Sequence, residues 1–144
     1  MAAPTRHQAS GTLAAVLKAT VLWVIIGVLA VVNGVVRQTL LEPALGPALG
    51  LAVSGLVLSA LVLLVAYLGS PWYGRQSTPF LAGIGAYWLV LTILFESGLG
   101  LLVSRHTWEQ VLYQYTFAGG NLWVLVLAVI TVAPWLTAKA RGLV

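Results

Sequence analysis

The chain has no cysteine, no aspartate, and only seven basic and three acidic side chains in 144 residues. Without cysteine there are no disulfides, no thiol nucleophile and no thiolate-held metal or cluster. Charged residues make up 7% of the sequence, whereas a soluble domain carries about a quarter. A water-facing surface cannot be built from so few charges. Histidine is scarce too: His7 lies near the start and His106 far from it, with no second histidine or cysteine close to either. This excludes a convincing zinc site and a bis-histidine haem, so no metal and no cofactor is expected. No G-x-S-x-G, Walker, H-E-x-x-H or G-x-G-x-x-G pattern occurs, so no catalytic residue is assigned and an enzyme is not expected. The net charge is +4, but no basic run is long enough for nucleic acid, and none is expected as a partner.

What the chain has instead is apolar length. Sixty per cent of residues are hydrophobic, and the mean hydropathy is +1.01. The few charges fall almost entirely between four apolar stretches. An apolar run of about 20 residues spans the hydrocarbon core as a helix. The expected fold is therefore all-α. It is an integral membrane four-helix bundle, one transmembrane domain over residues 1–144, with a short amphipathic interfacial helix before the last span. The spans are placed at about 19–36, 48–68, 80–103 and 121–136. Residues 1–11 read as a tail. The first run is longer than a signal-peptide core and has no small-x-small cleavage site after it, so it reads as a retained span.

Breaks between spans are marked by helix-disfavouring residues. Pro43, Gly46 and Pro47 predict a turn over residues 40–47, and residues 69–79 form a loop carrying Arg75. Gly50-x-x-x-Ser54 and Gly55-x-x-x-Ser59 give the second span a thin face for close helix approach, as do Gly83, Gly85 and Ala86 in the third. Thr107 and Gln110 fit a capping box opening a helix over about 107–117, with Trp108, Val111, Leu112 and Tyr115 on one face. The six tryptophans read mostly as an interfacial belt.

Four spans put both termini on one side, together with Arg6, Lys18, Arg75, Lys139 and Arg141; Arg37 and Arg105 fall on the other. The excess of positive charge places the termini in the cytoplasm. Glu42, Glu96 and Glu109 then lie toward the outer face. Glu96 is the most unusual residue, a carboxylate inside an apolar run. Asn33 and Arg37 are four apart on one helical face and at similar depth. These three form the expected intramembrane polar cluster. It reads as a proton- or ion-responsive site, as an Arg37–Glu96 salt bridge locking the bundle, or as a place where Glu96 pairs with a partner subunit. Glu42 reads as a solvated loop charge. Arg105, His106, Trp108 and Glu109 are candidate outer interfacial contacts.

Trp88, Leu91-Thr92, Phe95-Glu96, Gly100, Trp108, Leu112, Tyr115, Gly120 and Leu122-Trp123, with Asn33-Gly34-x-x-Arg37 and Pro43, carry a resemblance. In these residues, about half the chain, the sequence resembles a group of small four-span bacterial inner-membrane proteins. The resemblance implies four spans and the bacterial inner membrane, and no particular activity. Where the group has an acidic residue before the tyrosine and an arginine after the glycine, this chain has Gln114 and Asn121.

Two function classes follow. One is a non-enzymatic accessory or interaction subunit of a larger membrane complex. The other is a small oligomeric transporter or channel using Glu96 and Arg37. Besides the lipid bilayer, the expected partners are other membrane-protein subunits or further copies of the chain.

Overall fold

The computed structural model describes residues 6–103, 105–113, 115–116 and 122–144, with backbone alone at 6–10, 103 and 111. The described residues are mostly helical and contain no strand; the α-helices are α1 (Arg6–Val36), α2 (Glu42–Leu45), α3 (Pro47–Gly69), α4 (Thr78–Gly98), α5 (Trp108–Tyr113) and α6 (Trp123–Ala140). Four helical stretches are long and apolar enough to cross a membrane: Gly11–Leu45, Pro47–Tyr73, Thr78–Leu102 and Trp123–Ala140. The chain is a multi-pass membrane protein with the expected all-α, four-helix arrangement.

The helices form a ring in the order α1, α3, α6, α4. Helix α6 packs along both α3 and α4, and α1 packs on α3. The backbones of α1 and α4 approach closely at few places. Small residues set the tight seams. A Cβ on Gly85 of α4 would fall onto the Thr131 carbonyl of α6, so only glycine permits that approach. The α1–α4 seam is bridged by aromatic side chains instead. Trp88, fully buried, donates from Nε1 to the Ala19 carbonyl at 3.0 Å. Trp23 Nε1 donates to Thr92 Oγ1 at 2.9 Å, and the Thr20 and Tyr87 hydroxyls pair at 3.0 Å. Trp23 and Trp88 are thus interhelical struts rather than members of an interfacial belt. Their size fills the wide gap, and the partners they reach satisfy their N–H groups away from water.

Three boundaries differ from those expected. Residues 6–11, read as a tail, are helical and extend α1 to 31 residues, or roughly 46 Å at about 1.5 Å per residue. The span of about 30 Å that a bilayer core needs is therefore only part of this helix. The turn expected over residues 40–47 is mostly helical. A π-helical turn, Arg37–Leu41, leads into α2, and the break comes at Gly46, where φ is +88°. Pro43 sits in the first turn of α2, where its missing N–H costs no hydrogen bond, so it starts a helix here rather than ending one. The last span runs on past Pro134 to Ala140. Pro134 is buried among neighbouring helices, which restrain the backbone around it.

Exposed apolar side chains ring the bundle, Val21, Val28, Leu56, Leu64, Leu94 and Val132 among them. Such a surface is a liability in water and an ordinary one against lipid.

Candidate functional site

The two ends of the bundle differ in chemistry. At the end holding the start of α1, the α3–α4 connection and the C-terminus, cations are held against aromatic rings and carbonyls. Lys18 Nζ donates to the Trp72 carbonyl at 3.2 Å. Lys139 Nζ lies 4.8 Å from the Trp135 ring centre, and the Arg141 guanidinium 4.7 Å from that of Tyr67. Arg141 also donates to the Tyr67 carbonyl at 3.0 Å, and Arg75 to the carbonyls of Gly142 and Val144, both at 3.3 Å. These are the contacts of basic side chains that snorkel to a membrane surface.

The other end opens into a cavity of about 370 Å³ between all four spans. A volume of that order suits a small molecule. Helix α1 contributes Gly27, Ala30, Asn33 and Gly34 to its wall and the π turn after it Arg37, α3 contributes Ser54 and Gly55, α4 contributes Thr92, Phe95 and Glu96, and α6 contributes Trp123 with Leu122 just before it. A Cβ on Gly27 or Gly34 would meet nothing within 4 Å, so both positions border open space beside α1.

The structure brings Asn33, Arg37 and Glu96, placed at similar depth from sequence, onto one cavity wall. It does not bring Arg37 and Glu96 into a salt bridge. Arg37 Nε instead faces Glu42 Oε1 at 3.5 Å. That separation makes an ion pair without hydrogen-bond geometry, and Nε has no hydrogen-bond acceptor. The physical reason is the π turn that begins at Arg37. The Glu42 N–H bonds to the Arg37 carbonyl five residues back, which lays the two residues alongside each other. Glu42 is therefore a half-buried partner of Arg37 rather than a solvated loop charge. Its Cγ and Cα also lie where a Cβ on Gly50 would go, so the small-residue face of α3 accommodates the Arg37–Glu42 turn.

Glu96 accepts no hydrogen bond among the described residues. A second π-helical turn, Leu99–Val103, starts three residues after Glu96. Its first N–H is shared between the carbonyls of Glu96 and Phe95. Both ionisable residues of the cavity thus sit at the edge of a π turn, a feature concentrated at functional sites. Asn33 is buried and accepts a hydrogen bond from the Ser54 hydroxyl of α3. Ser54, Thr92 and the cavity-lining Trp23 were not singled out from sequence as site residues. The signal for Ser54 was present, because the small-residue stripe of α3 carries a hydroxyl at Asn33's level. Thr92 carried none.

Arg105, His106, Trp108 and Glu109 lie outside the cavity and are exposed. The capping box is formed in both directions: the Thr107 N–H donates to Gln110 Oε1 at 2.9 Å, and the Gln110 N–H to Thr107 Oγ1 at 3.2 Å. Helix α5 is shorter than expected, six residues, and is followed by a turn at Tyr115 and Thr116. Trp108, Leu112 and Tyr113 are exposed on it. Gln114, Gly120 and Asn121 lie outside the described residues. Among the described residues no group of three metal-ligating side chains comes together.

No protein-family model, no curated protein and no solved structure matches this chain.

Proposed function

We propose that this chain is a non-enzymatic, multi-pass protein of the bacterial inner membrane that works as a small transporter, with Asn33, Arg37 and Glu96 as its polar site. The carrying observation is Glu96. It is a carboxylate on the wall of an intramembrane cavity, with no hydrogen bond among the described residues to explain it as packing. Ionisable groups inside a membrane are costly and mark ion or substrate pathways when no structural partner satisfies them. Half of the residues through which the chain resembles small four-span bacterial membrane proteins line the cavity: Asn33, Gly34, Arg37, Thr92, Phe95, Glu96, Leu122 and Trp123. We take membership of that group, and the inner membrane with it, as part of the same reading. The gathering of Lys18, Arg75, Lys139 and Arg141 at one end supports termini in the cytoplasm and a cavity toward the outer leaflet.

The test is proton flux in vesicles loaded with a pH-sensitive dye and given an inside-negative potential. The native chain acidifies the lumen. Glu96→Gln abolishes this while the protein still purifies at its native oligomeric size. A packing role gives the opposite result. Glu96→Gln or Arg37→Ala then lowers the thermal midpoint, with partial recovery in the double variant.

The second reading, an accessory subunit of a larger membrane complex, is favoured by the face of α1. Val21, Val24, Val28, Val32 and Val35 are exposed along it. Purification in mild detergent separates the two. Stoichiometric foreign subunits support the accessory role, and a homo-oligomer supports the transporter.

A further inference from the structure

The polar cavity does not end at the bundle interior. A second space, about 430 Å³, lies on the surface of α1 and is lined by Trp23, Val24, Gly27, Val28, Val31 and Phe95. Four of these, Trp23, Gly27, Val31 and Phe95, also line the polar cavity. The two spaces therefore adjoin through the α1–α4 seam. One is polar at its far end, and the other is walled by apolar side chains and glycine.

The seam is closed on one side of this junction and open on the other. Toward the termini, three hydrogen bonds tie α1 to α4, the last of them Trp23 Nε1 to Thr92 Oγ1. Beyond Trp23, no α1–α4 hydrogen bond occurs among the described residues, and α1 presents Gly27 and Gly34 with nothing near their would-be Cβ atoms. Trp23 and Phe95 meet edge to face, with ring centres 6.0 Å apart, and Phe95 remains exposed. This ring contact bridges the seam at its own level, and the lateral opening toward lipid lies beside it, along Gly27 and Val31 of α1.

The charges say what would enter. Arg37 faces Glu42 Oε1 at 3.5 Å. The carboxylate left without an ion-pair partner among the described residues is Glu96, and the walls around it include the aromatic rings of Trp23, Phe95 and Trp123. A cavity that holds a carboxylate and aromatic rings suits an ammonium-like cation. An apolar groove continuing to the bilayer suits the rest of such a molecule.

Resting on the transporter reading above, we propose that the ligand is a lipophilic cation. It reaches Glu96 from the bilayer through the α1–α4 opening between Trp23, Gly27, Val31 and Phe95, and its apolar body lies in the groove of α1.

The test uses ions of one shape and opposite sign, tetraphenylphosphonium and tetraphenylborate, with the full chain in phosphatidylcholine nanodiscs and empty nanodiscs as the partition control. Equilibrium dialysis should show saturable tetraphenylphosphonium binding above the control. Glu96→Gln weakens it at least about tenfold, as the loss of one charge contact should. Gly27→Leu, which fills the opening, weakens it to a similar extent. Val31→Trp blocks the same opening from an exposed position and serves if Gly27→Leu loses its helical circular dichroism. Gly83→Ala, at an open glycine of α4 that lines neither space, stays near native. Tetraphenylborate shows no saturable binding.

Preferred binding of tetraphenylborate would overturn the proposal, because Arg37 would then govern the site. Phosphonium binding indifferent to Gly27→Leu and Val31→Trp would overturn the lateral route. Tetramethylammonium, a cation with no apolar body, separates this failure from that of the transporter reading. If it binds in a Glu96-dependent way while tetraphenylphosphonium does not bind, the polar site stands and the bilayer-borne ligand falls. If neither cation depends on Glu96, both readings fall.

Discussion

A single Cβ divides the glycines of α4. At Gly85 it would collide with the Thr131 carbonyl of α6; at Gly83 it would meet nothing within 4 Å. Gly85→Ala therefore forces two backbones apart and is expected to destabilise by about 1–3 kcal/mol, the range for overpacking. Gly83→Ala is expected to be neutral, or to stabilise by up to about 1 kcal/mol through helix propensity. Unfolding in detergent, followed by circular dichroism, ranks the two. From sequence both glycines were read as one thin face, but residues two apart point about 200° apart around a helix, and only Gly85 meets α6. Trp88 makes a related point. Its N–H is buried against the Ala19 carbonyl, and Trp88→Phe keeps most of the ring while removing that bond. The expected loss is about 0.5–2 kcal/mol, the scale of interhelical hydrogen bonds in membranes. A stability unchanged in the same unfolding assay would show that the ring alone carries the contact. The tryptophan was legible as an apolar-helix aromatic. Its role as a strut was not, because the partner carbonyl lies 69 positions away in sequence.

At the scale of elements, the breaks between helices carry the lesson. Proline and glycine over residues 40–47 were legible as punctuation, yet only Gly46 turns the chain. Its φ of +88° and ψ of 163° lie in a region that glycine alone occupies readily. Nothing stands within 4 Å of a would-be Cβ there, so Gly46→Ala tests conformation without a clash. It should cost about 1–3 kcal/mol. A variant as stable as the parent would mean that the α2–α3 connection rearranges freely. Pro43, by contrast, begins a helix, because the π turn before it supplies the register in which its absent N–H is not needed. The same turn gives Arg37 its partner. Periodicity at 3.6 residues pairs Arg37 with positions three and four away, so a pairing at five was invisible without the backbone. The capping box of α5 was legible in full, since both of its bonds are local.

For the whole molecule, topology makes a prediction that the cysteine-free background allows directly. Thr78 and Glu109 are both exposed and lie at opposite ends of α4 and its continuation. With a membrane-impermeant maleimide, Glu109→Cys should label in intact cells and Thr78→Cys only after permeabilisation. The reverse pattern would place the cavity toward the cytoplasm and overturn the proposed orientation.

The sequence by itself determined the solvent, the helical class, the approximate spans and the shared depth of Asn33, Arg37 and Glu96. Each of these follows from local composition and from the fixed rise of a helix. Tertiary structure alone decided which seams are tight and which is open, that Arg37 faces Glu42 while Glu96 is left without an ion-pair partner among the described residues, and that an apolar groove adjoins the polar cavity. Those outcomes depend on distances between helices far apart in sequence. Such distances are set by which small residue meets which neighbour, and an apolar run carries no record of its neighbour.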